Sequence, residues 1–366
     1  MYNRLNRIDG LRAIAILGVI AIHCGLIKNN PYNSIFVEHL IHHGKLGVQL
    51  FFLISGFILC YVADNSHFTK TTFFLKRFFR LAPIYYLILL ICFLIGFNEN
   101  LGNEYRIRPL NLDNLAIHLT FLHGLFPSYL RSIFSVCWSL TPEVIFYFIF
   151  PFLYKLDSKK LLVLFIISAI LSKHSLFISN LLFDKDPISI ETWARCSPVG
   201  NMFLFIFGIL VYKNEKFFKN IKIQIFSFLC LIIFLIPSLN NSNFFITKIL
   251  NYLFFDLYFS LILISFPFLI YNSSKILSLL LDNRIISFLG KISYSAFFIH
   301  FAIIQTFIFY NIKFNYSIGL ITVLSLTVII SYLTYNFIEK PGIKLGNYLI
   351  KNYNNKIINT EINQKS

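Results

Sequence analysis

The stretch DGLRAIAILGVIAIHCG, residues 9–25, decides the fold, because it is apolar enough for a membrane yet carries Arg12 and His23. The eleven-residue step between them makes about three helical turns, so both side chains point to one side of a helix. At 1.5 Å per residue, they lie about 16 Å apart along the axis. Ionisable side chains are costly at membrane depth and are by default candidates for a functional site. Polar packing between two helices is the alternative interpretation.

The composition indicates that the whole chain of 366 residues, and not only this stretch, belongs in a membrane. Hydrophobic residues make up 57% and charged residues 13%, and a transmembrane helix needs about 20 apolar residues. We therefore predict an all-α, polytopic integral membrane protein with about ten transmembrane helices and no separate soluble domain. The membrane domain covers residues 1–345, and residues 346–366 form a polar cytoplasmic tail. The predicted spans are 12–28, 46–63, 80–97, 138–154, 160–180, 199–213, 223–239, 249–271, 286–311 and 316–338.

The net charge of +16 is distributed in a way that indicates membrane topology. If the amino terminus is cytoplasmic, most of the 32 lysines and arginines fall in cytoplasmic segments, as the positive-inside rule requires. We therefore predict an even number of spans, both termini in the cytoplasm and no nucleic-acid partner. The six cysteines form no CxxC pair and are interpreted as small core residues.

A basic cluster begins the third span, where LKRFFRLAPIYY covers residues 75–86. A helix would gather Lys76, Arg77 and Arg80 at one membrane face. Such a cluster suits a phosphate-bearing ligand, which arginine binds in a bidentate manner. An ordinary positive-inside anchor is the alternative. The presence of Arg12 at the same membrane face favours a binding site.

The fourth span carries a polar stripe in an apolar background. Ser139, Glu143 and Tyr147 are spaced by four residues and share one helix face, with Trp138 at its edge. An unpaired carboxylate is unfavourable at this depth. Glu143 should therefore pair with a cation or a histidine, or be protonated. A role in helix packing is the structural alternative.

Several further polar residues lie in or beside spans. Ser55 could donate a hydrogen bond across helices, and His300 lies about ten residues into its span. Glu339 is interpreted as a local salt-bridge or capping residue. The run EHLIHH, residues 38–43, has the spacing of metal ligands. Because exposed histidines usually bind nothing, we predict no metal site.

Two polar segments are predicted on the outer side of the membrane. Residues 98–137 make no clear span and fit a re-entrant or surface-lying helix, since irregular backbone at membrane depth must be enclosed by protein. Residues 181–198 form the second segment. It is the other candidate for contacting a molecule outside the cell.

Six motifs, in this order, resemble the acyltransferase-3 family of multispanning membrane acyltransferases, which includes bacterial polysaccharide and lipopolysaccharide O-acetyltransferases. They are DGLRAIAILGVIAIH, GVQLFFLISGF, RFFR, WSLTPEVIFYFIFPFLY, SYSAFFIH and FIEKP, spread over residues 9–341. The resemblance implies transfer of an acyl group, usually acetyl, from cytoplasmic acyl-CoA to a hydroxyl of a cell-surface glycan such as lipopolysaccharide O-antigen, or of a lipid-linked glycan. It implies a bacterial inner-membrane location, acetyl-CoA as co-substrate and no tightly bound cofactor.

The resemblance and the residue chemistry together assign roles. We expect His23 to act as general base or to carry the acyl group itself, and Glu143 to support the catalytic site. The residues expected to hold acyl-CoA are Arg12, Lys76, Arg77 and Arg80. The residues expected to line the substrate site are Trp138, Ser139, Tyr147, Ser55 and His300. A transporter or flippase of a glycan or acylated envelope precursor is the alternative function, and the oligomeric state stays open.

Overall fold

The computed structural model describes residues 2–28, 35–66, 69–95, 112–183, 187–236 and 257–363. Over these residues the chain is helical, and its β-structure is limited to one isolated bridge between Lys28 and Phe314. The helices are α1 (Tyr2–Cys24), α2 (Ile35–His43), α3 (Gly47–Asp64), α4 (Lys70–Ile95), α5 (Leu112–Leu119), α6 (Leu140–Leu153), α7 (Ser158–Lys173), α8 (Ser175–Leu182), α9 (Pro187–Cys196), α10 (Pro198–Lys213), α11 (Glu215–Phe218), α12 (Ile221–Phe234), α13 (Leu257–Tyr271), α14 (Lys275–Leu281), α15 (Arg284–Lys291), α16 (Ser293–Phe309), α17 (Tyr316–Thr334) and α18 (Lys340–Asn363).

The described helices confirm a multi-pass, all-α membrane protein. Six helical stretches are long and apolar enough to cross a membrane, and three bent helix pairs bring the number to nine. The predicted count of about ten is therefore approximate. The predicted span 286–311 is bent by 71° between α15 and α16. The first part of the predicted span 249–271, up to residue 256, lies outside the described residues.

The carboxyl-terminal part of the chain is one long, continuous helical segment. Helix α17 continues through a π-helical turn at Tyr335–Glu339 into α18. The wider π turn changes the face that its residues present, and turns of this kind are often found at functional sites. Helix α18 runs across residue 346, where the polar tail was predicted to begin.

Close backbone contact between α3 and α10 fixes the centre of the bundle. A Cβ atom on Gly56 would lie 2.0 Å from the carbonyl oxygen of Phe205, and one on Gly208 would lie 2.2 Å from that of Leu53. Small residues at such crossings let membrane helices pack backbone to backbone. The contact holds α3, which carries Ser55, in a fixed position beside α1 and α10.

A buried ion pair ties the start of α1 to the helices that precede α16. The side chain of Arg7 is 5% exposed and donates to both carboxylate oxygens of Asp282, at 2.7 and 2.8 Å. Its Nη1 also donates to the carbonyl oxygens of Leu269 and Asn272, at 3.2 and 2.7 Å. This clamp sets the position of α1, and therefore of Arg12 and His23.

We predict that Arg7→Gln destabilises the protein by about 3 kcal/mol, because it leaves a half-buried carboxylate and two carbonyl groups without their partner. The free energy of unfolding in detergent micelles measures this. The matched control is Lys160→Gln, which removes an exposed ion pair with Asp157 at 3.6 Å and should leave the free energy of unfolding nearly unchanged. An equal loss of unfolding free energy in the two variants would show that the Arg7 ion pair does not hold α1 in place.

Candidate active site

A narrow cavity runs through the bundle between α1, α3, α4, α6 and α16. Its volume is about 70 Å³. Along α3 its wall extends from Val48 to Leu59, which corresponds to about 16 Å of helix. The lining residues are Arg12, Val48, Phe51, Phe52, Ser55, Ile58, Leu59, Arg77, Arg80, Leu81, Ser139, Leu140, Glu143, Tyr147, Ser293, Tyr294 and Phe297.

Three arginines give one end of the cavity its positive charge, and we call it the Arg12 end. Arg77 and Arg80 come from α4, and Arg12 comes from α1. Arg12 lies 3.5 Å from the Asp9 carboxylate. Among the described residues, no carboxylate comes within 4.0 Å of Arg77 or Arg80, and Nε of Arg77 is buried without a hydrogen-bond partner. The cluster therefore keeps N–H donors available for an anionic ligand.

Glu143 is held beside the arginines by two hydroxyl groups. The Tyr147 hydroxyl donates to its carboxylate at 2.5 Å, and the Ser55 hydroxyl donates at 3.4 Å. The carboxylate acts electrostatically on Arg77 and Arg80 without closing an ion pair with either one. Glu143 thus balances charge in the cavity while the guanidinium groups stay unblocked.

A second carboxylate, Glu339, is buried near the same cluster. It is 3% exposed, lies in the π turn and accepts a hydrogen bond from Ser295 at 2.8 Å. Its charge acts on Arg80. The sequence indicated a local salt-bridge or capping residue here, whereas the structure places Glu339 among the charges that surround the cavity. Its signal in the sequence was the FIEKP motif.

Two histidines form a hydrogen-bonded pair at the far end of α1, which we call the His23 end. Nδ1 of His23 lies 3.0 Å from Nε2 of His300, and Nδ1 of His300 lies 2.9 Å from the carbonyl oxygen of Ala296. A carbonyl oxygen only accepts, so Nδ1 of His300 carries a hydrogen and its Nε2 is an acceptor. Nδ1–H of His23 therefore donates to His300. This leaves the lone pair on Nε2 of His23 available as a base or nucleophile.

Aromatic rings separate the cavity from this histidine pair. Neither His23 nor His300 lines the cavity. Phe297 does line it, and the centre of its ring is 6.0 Å from the His300 ring and 6.4 Å from the Phe51 ring. Since Phe297 precedes His300 by three residues on α16, the cavity ends about one helical turn short of the imidazoles. Sequence reasoning missed Phe297, because one phenylalanine in an apolar span carries no distinguishing signal.

The structure brings most of the predicted site residues into one cavity and leaves others outside it. Lys76 is exposed and does not line the cavity. Trp138 packs edge-on against Phe52 with ring centres 6.2 Å apart, and His300 pairs with His23. The predicted residues that line the cavity are Arg12, Ser55, Arg77, Arg80, Ser139, Glu143 and Tyr147.

The histidine run on α2 is engaged in packing. His39 Nε2 donates to the carbonyl oxygen of Phe234 at 2.9 Å, and His43 Nδ1 donates to that of His39 at 2.8 Å. In the part of the chain that the structure describes, no group of three or more His, Cys, Asp or Glu side chains is arranged to hold a metal ion.

Fold and site together define a multi-pass membrane protein with a buried basic cavity that ends beside two paired imidazoles. The family profile described as "Acyltransferase domain", Acyl_transf_3, matches residues 5–336. The chain therefore belongs to the acyltransferase-3 family, and the protein is a membrane acyltransferase.

Similar proteins carry names of the same class. "Putative acetyltransferase ORF330" of Acidianus two-tailed virus is 29% identical over 307 residues, which is 80% of this chain and 82% of that protein. "Putative O-acetyltransferase SACOL0978" of Staphylococcus aureus is 26% identical over 93% of this chain, which spans only 57% of that relative. "Acyltransferase MdmB" of Streptomyces mycarofaciens is 29% identical over 43% of this chain and 41% of its own length. No solved structure matches the chain.

We predict that His23 is the Nδ1–H tautomer, because its Nδ1 has an acceptor in His300. Nitrogen-15 NMR of histidine-labelled protein measures this, with the His23 signals assigned by their loss in His23→Gln. In His300→Phe, which removes the acceptor, both tautomers should be populated. A wild-type protein protonated at Nε2 of His23 would contradict the assignment.

Proposed function

We propose that the protein transfers an acyl group, normally acetyl, from cytoplasmic acyl-CoA to a hydroxyl of a cell-envelope glycan. The single observation that carries this proposal is the cavity, with three guanidinium groups at one end and the His23–His300 pair just beyond the other. In this proposal the protein lies in the bacterial inner membrane with both termini in the cytoplasm. The Arg12 end then faces the acyl-CoA pool, as the positive-inside rule requires.

The shape and the charge of the cavity fit acyl-CoA as the donor. Phosphate groups of CoA bind at Arg77 and Arg80, with Arg12 in the same cluster, because guanidinium binds phosphate in a bidentate manner. The thin and mostly uncharged pantetheine arm then lies in the narrow cavity. The wall of about 16 Å along α3 is of the length that an extended arm needs. Lys76, which is exposed, contributes positive potential from outside the cavity.

The transfer step uses Nε2 of His23. For this step the rings of Phe51 and Phe297 move apart, and the thioester reaches the histidine. In direct transfer, Nε2 of His23 accepts the proton of the acceptor hydroxyl while the hydroxyl oxygen attacks the carbonyl carbon of the thioester. The C–S bond breaks, and the proton passes to the sulfur of the departing CoA. In the two-step route, Nε2 attacks the carbonyl carbon first, the C–S bond breaks and CoA departs as a thiolate. The hydroxyl oxygen then attacks the acyl group, the N–C bond to the imidazole breaks, and the hydroxyl proton goes to the thiolate.

Glu143 and His300 act through their neighbours in this scheme. His300 fixes the tautomer of His23. Glu143, held by the hydroxyl groups of Ser55 and Tyr147, acts on Arg77 and Arg80 through its charge. The acceptor hydroxyl is supported by the names of the similar proteins, since O-acetylation requires one. A lipopolysaccharide O-antigen or a lipid-linked precursor provides such hydroxyl groups at the His23 end.

We predict that His23→Ala lowers kcat by about 100-fold or more, because both routes lose the group that carries the proton or the acyl chain. Inverted membrane vesicles supplied with labelled acetyl-CoA measure transfer to glycan. The control is His174→Ala, an exposed histidine in the turn between α7 and α8. Equal transfer by wild type and the His23 variant would refute the proposed site.

We predict that Arg80→Ala raises KM for acetyl-CoA by about 10-fold to 100-fold, because a charge-assisted hydrogen bond contributes about 1.5–3 kcal/mol. Lys76→Ala is the matched control, since it removes the same charge from the same helix outside the cavity. Its KM should change by less than about threefold. Equal shifts in the two variants would indicate a general surface-charge effect and no phosphate site.

A further inference from the structure

The two polar segments that were predicted on the outer side meet in the structure. Nε1 of Trp193 on α9 donates to the carbonyl oxygen of Leu125 at 3.0 Å. The side chains of Leu130, Trp193 and Cys196 are buried against one another. The half-buried ring of Trp138 packs on this group and on Phe52, a lining residue of the cavity. The junction of the two segments is therefore continuous with the cavity wall.

Arg131 lies at this junction, and the described residues offer little to balance its charge. Its Nη2 contacts Cys196 Sγ at 3.4 Å, and its Nε is buried without a hydrogen-bond partner. Within the described ranges, no carboxylate lies within 4.0 Å of it. A partly buried guanidinium that meets one sulfur atom among the described residues is costly, because a cation that leaves water needs an anion or strong acceptors.

The same arginine is close to the histidine pair. Three residues after it, Phe134 is fully buried and packs edge-on against Phe301, with ring centres 5.2 Å apart. Phe301 in turn packs edge-on against His23 at 5.2 Å. The positive charge of Arg131 acts on the His23 ring. Arg131 is therefore a cation of the His23 end, separate from the cluster at the Arg12 end.

We propose that Arg131 binds an anionic group of the acceptor, a carboxylate or a phosphate, and that the acceptor is therefore an acidic glycan. The planar guanidinium matches both anions with two parallel hydrogen bonds. The arginines of the Arg12 end serve the donor, so a further cation at the His23 end, which no described carboxylate balances, serves the other substrate. Binding there would hold a hydroxyl of the same glycan near Nε2 of His23. This inference rests on the proposed function.

The test uses the full chain in proteoliposomes with labelled acetyl-CoA. The acceptors are envelope glycans extracted from cells that produce the protein, separated by anion exchange into neutral, carboxylate-bearing and phosphate-bearing fractions. The label is expected in one charged fraction, and which fraction it is distinguishes a uronic acid from a phosphate. With that fraction, Arg131→Gln should raise KM for the glycan by about 10-fold to 100-fold. Its KM for acetyl-CoA should stay unchanged, which also shows that the variant is folded.

Two further variants show whether charge and geometry at this position matter. Arg131→Lys keeps the charge without the planar fork and should recover part of the affinity for the glycan. Arg195→Gln is the matched control, because Arg195 is an exposed arginine of α9 already paired with Glu191 at 2.5 Å. It should behave as wild type.

Label in the neutral fraction, or an unchanged glycan KM in Arg131→Gln, would overturn the inference and leave the acyl transfer itself standing. A wild-type protein that consumes no acetyl-CoA with any fraction would refute the proposed function, and this inference with it. The two failures are therefore distinct.

Discussion

The structure depends on how the positive charge of guanidinium groups inside an apolar helix bundle is balanced by other groups. A charge at membrane depth is tolerated only where protein groups or bound ligands replace water. Arg7 is fully paired and acts as a clamp between α1 and Asp282. The charge of Glu143 acts at a distance on both Arg77 and Arg80, and the charge of Glu339 in the π turn acts on Arg80. The half-buried Glu143 and the buried Glu339 therefore stabilise the arginines and leave their donors open to a ligand.

The need to balance these charges also separates the Arg12 end of the site from the His23 end. The cavity gathers its charged groups near Arg12, and the rings of Phe51 and Phe297 close it about one helical turn before His300. In the proposed function this partition keeps a bound thioester away from water until the acceptor is present, since exclusion of water suppresses hydrolysis of a reactive group. The paired imidazoles then act where both substrates meet.

Much of the site could be predicted from the sequence because it depends on single helices. The register of Arg12 and His23, the RFFR cluster and the stripe of Ser139, Glu143 and Tyr147 follow from helical geometry alone. The pairing of His23 with His300 joins residues 277 apart and depends on packing between α1 and α16. The bent spans and the π turn around Glu339 depend on neighbouring helices in the same way. Apolar periodicity carries no signal for them.

The most direct test of the central claim is a structure of the protein with a stable thioether analogue of acetyl-CoA. The account predicts that phosphate oxygens lie within hydrogen-bond distance of Arg77 and Arg80 and that the analogue's carbonyl carbon lies about 3.5 Å from Nε2 of His23. It also predicts that the Phe297 ring has moved from its present contact with Phe51. An analogue bound elsewhere, or one whose carbonyl group stops at the Arg12 end beneath an unmoved Phe297, would contradict it.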